Sequence, residues 1–121
     1  MTRASAARVI VFKICPAPEW AKAERSGAFE GSGIDVRDGY IHFSTAAQVA
    51  ETASLYFRGE DDLMLVAVDG GRLGPALRYE ASRGGALFPH LYASLPLAAV
   101  IWARPLPVGS DGLHRFPDLP A

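Results

Sequence analysis

Residues 63–68, Leu-Met-Leu-Val-Ala-Val, form a continuous apolar run that ends at Asp69-Gly70-Gly71. A strand with one wet face alternates apolar and polar side chains. A run without alternation predicts a strand buried on both faces, in the middle of a sheet. The remaining segments must supply cover for both sides of that strand.

Residues 9–14 are β-branched and apolar and are bounded by Pro16 and Pro18, so they read as a second buried strand. Residues 19–26 read as a short helix opened by Pro18 and closed by Gly27, with Trp20 and Ala23 on its apolar face. Residues 28–39 hold Gly31, Gly33, Gly39, Asp35 and Asp38 and read as a loop. Residues 40–44 read as a strand entered through Asp38-Gly39. Thr45-Ala46-Ala47-Gln48 is a capping-box pattern, and Val49, Thr52, Ala53, Tyr56 and Phe57 recur at helical spacing as a core face. A short strand is expected over 76–80, a mobile loop over 81–88 containing Gly84-Gly85, and a last strong strand over 98–103. From Pro105 to the end, Pro and Gly predict an irregular tail.

The 121 residues fit one domain spanning 1–121, and 50% of them are hydrophobic, enough for a core without metals or disulfides. The single cysteine, Cys15, excludes an intrachain disulfide and suits a reducing cytosol. A net charge of −1 with scattered arginines argues against an electrostatic nucleic-acid binder. Arg3 and Arg8 precede only a short apolar run, unlike a signal peptide, and no stretch is long enough for a membrane span. The expectation is a cytoplasmic protein, a monomer or weak dimer, with no nucleic-acid or membrane partner.

Two segments can carry chemistry. In an extended chain Tyr40, His42 and Ser44 share one face, while Ile41 and Phe43 share the core face. The polar row ends where a helix begins, beside N–H groups that attract anions. Thr45 is most simply a helix cap, Ser44 can be a turn hydroxyl and His42 a structural histidine; as a set they also make a ligand edge. In Phe88-Pro89-His90-Leu91-Tyr92 the rings of Phe88, His90 and Tyr92 are spaced by two. They form either a slot for a flat ring or a buried aromatic anchor. Glu80 is either a surface ion-pair partner or a carboxylate for ribose binding and general-base work. No G-x-S-x-G elbow, metal-ligand spacing, Walker motif or G-x-G-x-x-G pattern is present, so no metal site is expected. Cys15 ends a core strand and reads as an inert buried thiol.

Taken in order, Val11-Phe12-Lys13-Ile14, Glu19-Trp20, Asp38-Gly39-Tyr40-Ile41-His42-Phe43-Ser44-Thr45, Tyr79-Glu80 and Phe88-Pro89-His90-Leu91-Tyr92 resemble the bacterial domain-of-unknown-function family DUF952, from about residue 9 to 116. That family in turn resembles, remotely, the ADP-ribosyltransferase-like superfamily. The wider resemblance implies an α+β fold with a bent or split, mainly antiparallel sheet, flanking short helices and an NAD cleft. It also implies catalytic roles for Glu80 and His42. The ligand-binding set would be Lys13, Tyr40, His42, Ser44, Thr45, Phe88, His90 and Tyr92, and NAD a possible cofactor. Lys13 stands where the superfamily often places a ribose-contacting histidine, and lysine donates but cannot accept. Ala93 replaces a glycine common after the Phe88–Tyr92 string.

Three readings follow. The first is a nucleotide-like ligand, such as NAD, bound between the two segments, with ADP-ribosyl transfer or NAD cleavage as its chemistry. The second is a non-catalytic small-molecule module using the same cleft. The third is an interaction protein with the aromatic segment buried against a second chain. A catalytic role requires Glu80 inside the His42 cleft.

Overall fold

In the computed structural model, which describes residues 9–120, the apolar run is β4 (Leu63–Asp69), the middle strand of an antiparallel sheet. Its neighbours are β1 (Ile10–Pro16) and β8 (Val100–Leu106). Arg3 and Arg8 lie outside the described residues. Side chains alternate across the sheet as strand geometry requires. Val66 and Val68 join Val11 and Cys15 on one face, and Leu63, Leu65 and Ala67 join Phe12 and Ile14 on the other.

Each face has its own cover. α1 (Ala17–Ser26) lays Trp20 and Ala23 on the first face, with Pro18 in its first turn. Its end is closed by the Gly27 N–H donating to the Ala23 carbonyl at 2.8 Å. α3 (Val49–Tyr56) lays Val49 and Ala53 on the second face.

A second three-stranded antiparallel sheet has the order β3 (Ile41–His42), β6 (Leu87–Leu91), β5 (Leu77–Ala81). Ile41 and Leu91 join the first core, and Leu77 packs against it. β2 (Ala28–Phe29) and β7 (Leu95–Pro96) form a small antiparallel pair beside them. The two larger sheets meet at one bridge. There the Phe12 N–H donates to the Ser44 carbonyl at 2.8 Å, and the Ser44 N–H returns to the Phe12 carbonyl at 2.9 Å. The result is an α+β fold with antiparallel sheets and few helices. The bridge places β1 next to the end of β3, which brings Lys13 near His42.

Several local expectations are corrected. Residues 28–39 are not all loop: they contain β2 and α2 (Gly33–Asp38). In α2 the Asp35 carboxylate accepts the Ser32 N–H at 2.8 Å, and the Gly39 N–H closes onto the Asp35 carbonyl at 2.9 Å. Within residues 40–44 only Ile41 and His42 pair as a strand, and Ser44 enters the single bridge. Half of the box expected at Thr45 forms, its N–H donating to Gln48 Oε1 at 3.0 Å, but the helix proper starts at Val49. Tyr56, expected on the core face, is 59% exposed. Residues 97–99 make a 3₁₀ turn before β8. β8 runs on through Pro105, which an edge strand tolerates because no inner neighbour needs its N–H. The tail is less irregular than expected. Val108 and His114 pair, His114 Nε2 donates to the Glu60 carbonyl at 2.8 Å, and Phe116 and Leu119 pack against the second core.

Candidate functional site

β3 and β6 pair with His42 opposite His90, and β5 pairs with β6 with Arg78 opposite His90 and Glu80 opposite Phe88. Register therefore puts both imidazoles, Phe88, Glu80 and Arg78 on one face of the second sheet. Tyr40 lies over that face, stacked on His90 at 4.2 Å between ring centroids and 4.6 Å from His42.

A cleft of about 600 Å³ opens where this face meets the edge of β1 and the end of α3. Its wall includes Lys13, Tyr40, His42, Ser44, Phe88 and His90, and also Ile34, Arg37, Thr52, Tyr56, Ser82 and Arg83. Thr45, Glu80 and Tyr92 are not on that wall. The Glu80 carboxylate accepts from His90 Nδ1 at 2.8 Å and from the Tyr92 hydroxyl at 2.7 Å. Along the Phe88, His90 and Tyr92 row, Tyr40 stacks on His90 and its ring lies 5.1 Å from that of Tyr92, while Arg78 covers the Tyr92 ring at 4.8 Å.

Two carboxylates organise the imidazoles. Asp35, 2% exposed, accepts the Lys13 ammonium at 2.7 Å, His42 Nδ1 at 2.6 Å, the His42 N–H at 3.0 Å and the Ser32 N–H at 2.8 Å. Burial alone would raise its pKa. The His42 hydrogen bond and the Lys13 charge outweigh that and hold it below the usual carboxylate range. Asp38 Oδ2 lies 3.0 Å from His42 Nε2, so both nitrogens of that ring face carboxylates. Glu80 is held below its ordinary range first by the His90 hydrogen bond and then by Tyr92. The same contact raises Tyr92. An ionised carboxylate only accepts, so His90 donates through Nδ1. Its Nε2 has no protein partner among the described residues.

Asp35 and the wall residues Ile34, Arg37, Thr52, Tyr56, Ser82 and Arg83 are absent from the site expected from sequence. Asp35 sat in a stretch read as loop, where the spacing Ser32-x-x-Asp35 followed by Gly39 was the available signal. The helical spacing of Tyr56 points to the core, whereas its ring is exposed on the cleft wall. Arg83 lies beside Gly84-Gly85, and nothing local marks it. Its role comes from reaching over the Phe88 ring at 4.7 Å and the Tyr56 ring at 5.6 Å.

The family model described as "Protein of unknown function (DUF952)" matches residues 14–103, and the chain belongs to that family. The crystal structure of protein CC0527 from Caulobacter crescentus superposes with a TM-score of 0.85 at 44% identity, covering 88% of this chain and 93% of that one. The solution NMR structure of CC0527 gives 0.78 at 45% identity, covering 86% and 90%. No curated protein matches the sequence. The more remote likeness to ADP-ribosyltransferases finds no support in these comparisons. No helix among the described residues is long and apolar enough to cross a membrane.

Proposed function

We propose that the cleft binds a nucleotide-like small molecule and that the protein works as a binding module rather than as an NAD-cleaving enzyme. The observation that carries this reading is the make-up of the wall. Tyr40, Tyr56 and Phe88 surround a volume of about 600 Å³ together with two imidazoles and two arginines. That volume suits a small ligand, and a wall of aromatic rings and guanidinium planes suits a flat, anionic molecule without demanding a particular base.

The ADP-ribosyl-transfer reading needs a carboxylate beside the oxocarbenium-like charge of the breaking glycosidic bond. Glu80 is off the wall, and one of its oxygens already serves His90 and Tyr92. Lys13, 4% exposed and paired with Asp35, is likewise engaged by the protein. Both observations favour binding over turnover.

The test is a titration with NAD, ADP-ribose and nicotinamide, followed by amide chemical shifts and an assay for nicotinamide release. Shifts concentrated on Tyr40, His42, Ser44, Tyr56, Phe88 and His90, with no release, are expected. Tyr56→Ala, at an exposed ring, should weaken binding while leaving the melting temperature unchanged. Absence of shifts at millimolar ligand would remove the nucleotide reading, and steady release of nicotinamide would replace it with the enzymatic one.

A further inference from the structure

The wall of the cleft contains a cation that the fold leaves underused. Arg83 Nη2 reaches Glu51 Oε1 at 3.5 Å and Thr52 Oγ1 at 3.4 Å, both longer than an ordinary hydrogen bond. Nε and Nη1 have no acceptor among the described residues. The guanidinium is nonetheless held in place. It lies over the Phe88 and Tyr56 rings, and its side chain is only 21% exposed. An arginine stacked on rings, with its fork unfilled, is arranged to receive a planar or tetrahedral oxyanion by paired hydrogen bonds.

The loop that carries it is built for that position. Residues 82–86 join β5 to β6. The Gly85 N–H donates to the Ser82 carbonyl at 2.8 Å, and the Ser82 N–H to the Ala86 carbonyl at 2.9 Å. Gly84 and Gly85 have φ of 67° and 82°, a left-handed backbone that side chains disfavour. The turn therefore sets Arg83 over the cleft, with Ser82 on the same wall.

We propose that Arg83 is an oxyanion subsite that takes the phosphate of the cleft's ligand. This rests on the nucleotide-like reading above and makes it more specific. The distance along β6 supplies the second constraint. Phe88, under Arg83, and His90 project from the same face, about 7 Å apart along the strand. A ligand with its phosphate on Arg83 brings its next groups to His90 Nε2, the ring nitrogen without a protein partner. With Glu80 on Nδ1, the neutral ring presents Nε2 as an acceptor, and the group that matches it is a hydroxyl or amine donor. A phosphorylated ribose carries an anion and hydroxyl donors at that spacing. Glu51, the facing carboxylate, competes for Arg83 and is displaced when the phosphate binds.

The experiment titrates the full chain with pyrophosphate, adenosine and ADP at low salt, following arginine side-chain and amide resonances by NMR. Pyrophosphate should shift Arg83 and Ser82, and ADP should bind about tenfold or more tightly than adenosine. Arg83→Gln should abolish that advantage, and Arg83→Lys should keep part of it, since charge survives without the fork. Glu51→Gln, at an exposed residue, should tighten pyrophosphate binding even if the Arg83 variants fold poorly. Equal affinity for adenosine and ADP overturns the subsite while leaving the cleft reading intact. Pyrophosphate binding at Arg83 without any adenosine or ADP binding supports the subsite and overturns the nucleotide reading. No binding of any probe overturns both.

Discussion

Asp35 shows how one side chain can hold a fold and a site together. It sits on α2 yet accepts from Lys13 on β1 and from both the ring and the backbone of His42 on β3. A buried carboxylate is costly unless every lone pair is used and a counter-charge is close, and Asp35 meets both conditions. Asp35→Asn keeps the shape but leaves the Lys13 ammonium buried without its counter-charge. The expected loss is about 3–5 kcal/mol in urea unfolding. The pH dependence has a definite sign. The folded pKa lies below the ordinary 3.8, so the stabilisation is complete above the unfolded value and drains as pH falls toward the folded one. Wild-type stability should fall steeply below about pH 4, and the asparagine variant should lose that part of the slope. Equal acid slopes in the two proteins would show that Asp35 is not the group being titrated.

Among the elements, the β5–β6 hairpin makes the sharpest claim. Gly84→Ala forces a side chain onto a backbone with φ of 67° and should cost about 1–2 kcal/mol. Because that turn positions Arg83, the same variant should weaken pyrophosphate binding in the titration above. Undiminished affinity in a folded G84A protein would mean that the turn does not position the arginine. Legibility in the sequence follows the same division between local and distant causes. β1, β4 and α1 could be read because their patterns are set by nearest neighbours: an apolar run, a β-branched run, a proline entry and a glycine exit. α2 could not, because its six residues are punctuated by Gly33 and two aspartates, and what holds it is the contact of Asp35 with other elements. On the candidate site, the alternation of Tyr40, His42 and Ser44, and of Phe88 and His90, pointed to one polar face. Glu80 and Tyr92 followed the same alternation but turn toward each other, away from the cleft wall. Arg83 depends on where a five-atom reach ends in space, which no spacing rule encodes.

For the whole molecule, the question is whether the two-faced sheet opens as a unit. Cys15, at the end of β1 opposite Met64 on β4, is fully buried in the first core, and burial pushes its thiol up to about 12, against the lowering effect of Lys13. The thiolate is the reactive form, so at pH 8 the native thiol is shielded both by packing and by protonation. The stabilisation it brings is complete below the unfolded value near 9 and is lost as pH rises toward 12. If β1, β4 and β8 separate only when both cores open, labelling must wait for global unfolding. Iodoacetamide should then react at least about 10³-fold more slowly with the native chain than with the urea-unfolded one. Added urea should accelerate labelling with the same denaturant dependence as the unfolding equilibrium. Rapid labelling that ignores urea would instead mean that the β1 edge frays locally. The edge that carries Lys13 toward His42 would then be the least stable part of the sheet, and ligand bound in the cleft should slow the reaction.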